Sequence, residues 1–329
     1  MFDSFGRDIT YLRLSVTDRC NLRCLYCMPD DAELLPRCEV LSLEELERLA
    51  GIFIRLGIRK LRLTGGEPLV RRGVESLVRA LGRHVAAGRL EELTLTTNGT
   101  RLVEHAEALR AAGVRRINVS LDSLDPDRFR RITGRDDLPR ALAGIAAAAA
   151  AGLEVKINTV VLKGENEDEI DDLIRWGGAH GHDITLIETM PLGRLAGCHR
   201  DWHVPLDEIR RRIAARWTLQ PSRHRTGGPA RFFAVAETGR RLGFIAAVSH
   251  GFCSECNRVR LTCTGTLTPC LGSDAGVELR PILRRADSDL PVETAILAGV
   301  AAKPRGHGFA AAGVPLFAGQ RTRMCRTGG

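Results

Sequence analysis

Apolar and polar positions along the first 190 residues follow two alternating rhythms, short extended runs and longer stretches with helical spacing. The runs at residues 11–16, 58–63, 93–97, 114–121, 155–162 and 184–189 are rich in Leu, Ile, Val and Thr and predict six strands. Residues 43–56, about 68–87, about 102–112, 139–151 and 167–180 read as helices between them. Ser42 with Glu45 three positions later forms a capping box at the start of the first, and Gly152 closes the fourth. Strand and helix alternating at this interval predict a parallel sheet with helices over its outer face. Most strand ends carry polar or reactive residues, which favours a full or partial barrel over a doubly wound sheet, because barrels gather their active sites at that rim.

After Met190-Pro191-Leu192-Gly193 the alternation stops. A helix over 206–217, strands over 231–236 and 242–248, a hairpin-like stretch over 258–267 and a helix over 288–300 predict a smaller region of different character. The expected fold is therefore α/β: an incomplete (βα)6 TIM-type barrel over residues 1–190, followed by a C-terminal α+β region over 191–329.

Charge sharpens this division. Residues 1–190 hold 27 basic and 30 acidic side chains, a net of −3, and residues 191–329 hold 21 and 10, a net of +11. The second part thus expects an anionic partner, a nucleic acid or a phosphorylated small molecule. Aromatic residues are only 5% of the chain, which speaks against a nucleic-acid binder that stacks bases. No apolar run is long enough to cross a bilayer, and the N-terminus lacks a signal-peptide pattern, so a cytoplasmic location is expected. Ten cysteines in such a chain suggest metal ligands rather than disulfides.

The cysteines fall into two sets. Cys20, Cys24 and Cys27 are spaced C-x3-C-x2-C on the loop leaving the first strand. Cys253, Cys256 and Cys270 are spaced C-x2-C-x13-C. Each set is one ligand short of a closed zinc or iron–sulfur site. For the second set, Cys263 is a possible fourth thiolate of a structural zinc, although strand alternation turns it away from the face of Cys256. Two separate three-thiol sets favour iron–sulfur clusters that each keep one iron open. Arg258 and Arg260, two apart in an extended segment, point the same way and can fork onto phosphate oxygens.

The first cysteine set, Thr64-Gly65-Gly66-Glu67-Pro68, Thr96-Thr97-Asn98-Gly99 and Asn118-Val119-Ser120-Leu121-Asp122 together resemble the radical S-adenosylmethionine superfamily. The second set, Asn257-Arg258-Val259-Arg260 and the terminal Gly328-Gly329 narrow the resemblance to its GTP 3′,8-cyclases, over essentially the whole chain. The resemblance implies that Cys20, Cys24 and Cys27 hold one [4Fe–4S] cluster, whose open iron chelates S-adenosylmethionine and cleaves it to a 5′-deoxyadenosyl radical. Tyr26, Gly66, Ser120 and Met190 would contact that cofactor. Cys253, Cys256 and Cys270 would hold a second [4Fe–4S] cluster facing the guanine of GTP. Arg13, Lys60, Arg62, Thr96, Lys156, Arg258, Val259 and Arg260 would bind the nucleotide, and Gly328 and Gly329 would form a tail entering the active site. It further implies a homodimer, an electron donor such as flavodoxin or ferredoxin, and a link to cyclic pyranopterin monophosphate synthase in molybdenum cofactor biosynthesis. The chain departs from the family pattern at Thr185, where an arginine is common, and at Thr327, where an apolar residue is. A peptide-modifying relative with an auxiliary cluster and a zinc-dependent nucleic-acid binder are the competing readings.

Overall fold

The computed structural model describes residues 1–27, 34–192, 195, 198–273 and 275–307; the tail with Gly328 and Gly329 lies outside them. Six strands, β1 (Tyr11–Ser15), β2 (Lys60–Thr64), β3 (Glu92–Thr97), β4 (Arg116–Ser120), β5 (Glu154–Val161) and β6 (Asp183–Glu188), pair in sequence order and all in parallel. The helices are α1 (Leu43–Arg55), α2 (Val74–Ala86), α3 (Leu102–Ala111), α4 (Pro126–Thr133), α5 (Leu138–Ala150) and α6 (Ile170–Ala179). The capping box of α1 is present: Glu45 N–H donates to Ser42 Oγ at 3.1 Å and Ser42 N–H to Glu45 Oε2 at 2.8 Å. α4 is an addition to the sequence expectation. Asp125 caps it and Pro126 opens it, a start signal on a helix too short to show periodicity.

The strands alternate in a way that decides the function of the barrel. Leu12, Leu14, Leu61, Leu63, Leu93, Leu95, Ile117, Val119, Val155 and Ile157 pack outward into one core with Leu46, Leu49, Phe53, Leu77 and Leu81 of the helices. The intervening residues, Arg13, Arg62, Thr96, Asn118, Lys156 and Asn158 among them, face inward and line a cavity. An ordinary α/β barrel fills its interior with branched apolar side chains. Here the main apolar core lies between sheet and helices, and the interior is left open, with charged and amide side chains beside apolar ones in its lining.

The C-terminal region does not sit beside this sheet but extends it at both edges. It contributes α7 (His199–Trp202), α8 (Leu206–Ala214), β7 (Leu219–Pro221), β8 (Arg231–Val235), β9 (Arg240–Ile245), β10 (Arg258–Leu261), β11 (Thr266–Thr268), β12 (Val277–Glu278), α9 (Leu279–Arg285) and α10 (Leu290–Ala301). β9 lies parallel to β6 and β10 parallel to β1, so eight parallel strands run in a row. Antiparallel β8 and β7 continue one edge, β11 and β12 the other. Asp289 and Glu293 bind Arg55, and Arg284 binds Glu45, fastening the last helices onto α1. No described helix is long and apolar enough to cross a membrane.

The helix layer tolerates no added volume at Gly82 on α2, where a Cβ would come within 2.0 Å of the Ala112 carbonyl oxygen. Gly82→Ala should destabilise the protein by about 1–3 kcal/mol through overpacking. Thermal unfolding checks this, and the iron content of folded protein should not change.

Candidate functional site

β1 ends at Ser15, and the chain passes through Thr17, Asp18 and Arg19 into the first cysteine set. The turn after β2 clasps this loop. Gly66 N–H donates to Thr17 O at 2.8 Å and Glu67 N–H to Arg19 O at 2.8 Å. A Cβ at Gly65, whose φ is +150°, would fall 2.5 Å from Thr17 O, and one at Gly66 would fall 2.3 Å from Arg19 O. The glycine pair is thus required first by the approach of the cysteine loop's own backbone. Glu67 is buried and accepts from Leu69 N–H, Thr97 Oγ1–H and Asn98 N–H at 3.0, 2.7 and 2.7 Å. Its burial outweighs those donors and pushes its carboxyl up to about 7. On the other side, Arg23 and Leu25 N–H bind Thr133 O and Ile132 O at the end of α4.

Cys20, Cys24 and Cys27 line one cavity together with Tyr26, Gly66, Ser120 and Met190, with about 1060 Å³ of free space. Burial pushes the Cys20 thiol up to about 11 and the Cys24 thiol well above its ordinary value. Leu22 N–H points at Cys20 Sγ (3.4 Å) and Asn98 Nδ2 lies 3.9 Å from it. Tyr26 donates its hydroxyl to Asp122 Oδ2 at 2.7 Å. Asp122 also accepts Val160 N–H at 2.8 Å, and burial raises its carboxyl to about 6.

The second set lies at the opposite end of the strands. Cys256 precedes β10 and Cys270 follows β11, which runs back antiparallel to it. Both therefore stand at the N-terminal end of the barrel, where Thr10 and Tyr11 N–H bind Asn257 O at 3.1 Å. Cys253, Cys256 and Cys270 line a second cavity of about 1140 Å³ of free space. Arg260, Arg13 and Arg62 stand at one level on the neighbouring strands β10, β1 and β2. With Arg258, Lys156 and Lys303 they all line this cavity, and among the described residues no Asp or Glu does. Burial, then Arg260, Arg62 and Arg258, hold Arg13 well below its usual value; burial and Arg258 bring Arg260 to about 10. Burial, then Arg62, Arg116 and Lys60, hold Lys156 well below the usual lysine range. Burial opposes ionisation of Cys256, but Arg258 and Lys303 outweigh it and bring the thiol to about 7. Buried Arg62 Nε, Asn118 Oδ1 and Asn158 Oδ1 have no partner among the described residues. Such groups await a polar ligand.

The two cavities share Thr96, Asn158, Ile187 and Met190, so one interior joins the two thiol sets. Two residues expected at the nucleotide are placed elsewhere. Lys60 Nζ is held by Glu92 Oε2 at 2.5 Å and Thr226 O at 2.6 Å, outside the cavity lining. Val259 turns outward into the core, because it alternates with Arg258 and Arg260. Asn118, Asn158, Glu67, Asp122 and Lys303 were not anticipated as site residues; the inward parity of Asn118 and Asn158 with Lys156 was the available signal. Among the described residues no three His, Cys, Asp or Glu side chains converge on a single ion position, and Cys263 is fully buried in the core. Cys263 is therefore not placed beside the second thiol set as a fourth ligand. A cubane fits, since it takes each thiolate on a different iron and leaves sulfurs open to N–H donors such as those at Cys20 and Cys253.

Comparison with known proteins agrees with this geometry. Residues 14–177 match the radical SAM superfamily, and residues 182–309 match the molybdenum cofactor synthesis C family. The GTP 3′,8-cyclase of Erythrobacter litoralis is 59% identical over 309 residues, 94% of this chain and 93% of its own. That of Caulobacter vibrioides is 54% identical over 330 residues, covering 100% of this chain and 94% of its own. The chain belongs to the GTP 3′,8-cyclase family. Among solved structures, SuiB of Streptococcus suis bound to S-adenosylmethionine has a TM-score of 0.63 at 16% identity, covering 90% of this chain and 68% of that one, a likeness of fold. As a member of this radical SAM family, the chain has two [4Fe–4S] clusters and S-adenosylmethionine as cofactors.

One carboxylate fastens the segment that leads to the second set. Glu188, fully buried at the end of β6, accepts from Val248 N–H, Ser249 N–H and Ser249 Oγ–H at 2.7, 2.9 and 2.8 Å, and meets His203 Nε2 at 3.0 Å. Burial opposes its ionisation, yet these partners hold its pKa at about 2, below the ordinary 4.5. A depressed carboxylate stabilises the fold above its unfolded value and loses that contribution as pH falls through the folded one. Glu188→Gln should therefore cost about 2 kcal/mol at neutral pH. Melting of the metal-free chain should show this difference in full at pH 7, shrinking below pH 4.5 and nearly closing at pH 2.

Proposed function

We propose that Cys20, Cys24 and Cys27 hold the first [4Fe–4S] cluster with S-adenosylmethionine against Tyr26, Gly66, Ser120 and Met190. Cys253, Cys256 and Cys270 hold the second. GTP lies between them with its triphosphate on Arg13, Arg62, Lys156, Arg258 and Arg260. The reaction is that of the family, conversion of GTP to (8S)-3′,8-cyclo-7,8-dihydroguanosine 5′-triphosphate, the first step of molybdenum cofactor assembly. The observation that carries this reading is one barrel interior with a three-thiol set at each end, whose second cavity is lined by Arg13, Arg62, Lys156, Arg258 and Arg260 and, among the described residues, by no Asp or Glu.

When bound, the reduced first cluster and S-adenosylmethionine supply a carbon radical that removes the hydrogen from the ribose 3′ carbon. The chain's own residues bind, orient and shield. Arg258 and Arg260 share a face of β10, and Arg13 and Arg62 continue that row, so a polyphosphate meets a fixed array rather than flexible surface side chains. Asn158 and Thr96, common to both cavities, stand where the two ligands meet. Ile187 and Met190, common to both cavities, give that junction apolar side chains that limit water around the meeting ligands. Tyr26 lines the first cavity and is fixed there by its hydroxyl's hydrogen bond to Asp122. By the same family resemblance the enzyme works in the cytoplasm as a homodimer, takes electrons from a flavodoxin or ferredoxin, and passes its product to cyclic pyranopterin monophosphate synthase.

Anaerobic reconstitution should load about eight irons per chain, two cubanes, and yield the cyclised nucleotide from GTP, S-adenosylmethionine and dithionite. Bound zinc without labile sulfide would sink the assignment. Changing Arg258 and Arg260 together to Ala should weaken GTP binding by at least about 100-fold, given 1.5–3 kcal/mol for each charge-assisted contact, while slow uncoupled S-adenosylmethionine cleavage persists. Unchanged GTP affinity in that variant would favour a peptide substrate instead.

A further inference from the structure

The chain has four lysines, and Lys303 is the last of them, just beyond α10. Its side chain is buried, and its ammonium donates to Arg258 O at 2.9 Å and Pro269 O at 2.5 Å. Arg258 stands two residues after Cys256, and Pro269 immediately before Cys270. One ammonium thus ties together the two chain arms that carry these thiols. The third thiol is held from the other end of the sequence. Arg7 Nη1 donates to Cys253 O at 2.7 Å and to Arg305 O at 3.0 Å, and its Nη2 donates to Pro304 O at 2.6 Å. Asp3 aims it through a 2.5 Å ion pair and is itself set by Phe5 and Arg7 N–H at 2.9 and 3.0 Å. Both Asp3 and Arg7 side chains are nearly inaccessible, at 0% and 8% exposure. The segment just after these clamps runs along Cys253: a Cβ at Gly306 would lie 3.6 Å from Cys253 Cβ, and His307 N–H points at Cys253 Sγ from 3.5 Å.

Resting on the assignment of a cluster to the second thiol set, we propose that Lys303 and Arg7, aimed by Asp3, are positioning residues of that cluster. They form a brace that fixes the spacing of three thiols borne on two chain segments, Cys253 and Cys256 on one and Cys270 on the other. The need is physical. Cys253 and Cys256 precede a hairpin and Cys270 follows it, so the strand pairing fixes the hairpin but not the ends that carry ligands. A cluster site tolerates errors of only about 0.5 Å. Backbone carbonyls grip a buried cation firmly, and their strength does not depend on a second titrating side chain. The ammonium also suits the task better than the guanidinium this chain uses almost everywhere else. Its three tetrahedral donors reach carbonyls of two strands at once, whereas a planar fork favours one bidentate partner. Two positive charges behind the thiols further offset the negative charge of three thiolates and a reduced cluster, which favours the reduced form.

The test compares the wild type with Lys303→Met, Arg7→Met, the milder Arg7→Lys, and a variant with Cys253, Cys256 and Cys270 all changed to Ala. After anaerobic reconstitution, iron and labile sulfide are counted, and low-temperature electron paramagnetic resonance of the reduced proteins separates the two clusters. The wild type should hold about eight irons and the triple-cysteine variant about four. Lys303→Met and Arg7→Met should fall by about half, losing the second cluster's signal or shifting its potential downward, and keep the first cluster's signal. Arg7→Lys should recover part of the loss. Full iron content with both signals unchanged in Lys303→Met and Arg7→Met overturns the proposal. Loss of both clusters in step with loss of cooperative melting, in Arg7→Lys as well, also overturns it, because it assigns these residues to folding. A wild type with four irons or with zinc refutes instead the cluster assignment on which the proposal rests.

Discussion

Like charge confined in a buried space is the constraint on which the rest of this structure depends. Arg13, Arg62, Lys156, Arg258 and Arg260 face one another inside the barrel with no acidic side chain in the described lining. Burial and mutual repulsion lower the proton affinity of Arg13, Arg260 and Lys156. Such an interior survives only because the apolar core has been moved out of the barrel, between sheet and helices. The unfavourable energy held there is released when a polyanion arrives. Stability and specificity are thereby set in opposition, as at other preorganised charged sites.

β1 organises this interior. Its N-terminal end abuts Asn257 and the second thiol set, its middle carries Arg13, and its C-terminal end leads into the first set. At about 3.3 Å per residue its five residues span roughly 16 Å. The usual barrel places its chemistry at one rim. Here a three-thiol set stands at each end of the strands, and the space between, usually packed solid, is an open interior that joins the two.

Much of this was legible in the sequence where a local rule governs. The capping box of α1, the six strands and both thiol spacings are short-range signals, and the structure forms α1 and the strands where they were expected to within about two residues. The rest depends on pairings that no local rule contains. That β10 lies parallel to β1, joining Tyr11 to Arg258, could not be read from either segment. The second thiol set therefore looked like part of an appended region when it closes the far end of the barrel. Lys60 shows the complementary failure. Its strand position is inward, but Glu92 on the neighbouring strand captures its ammonium, and cross-strand register decides that. Gly66 was expected to admit a ligand, whereas its first duty is to the Arg19 carbonyl. Lys303 carried no signal beyond its rarity, because its partners are backbone carbonyls.

The pairing of β1 with β10 also dictates an order of assembly. During synthesis the first strand leaves the ribosome with one edge satisfied by β2 and the other bare, and the strand that covers that edge follows only after some 240 further residues. An uncovered edge strand invites pairing with other chains, and contacts this distant in sequence form slowly. The loop of the first thiol set is already clasped by the turn after β2 at that stage, while the second set does not yet exist. The newborn protein thus holds one complete thiol set long before the other, and it passes through an interval in which that set precedes the interior that will later enclose it.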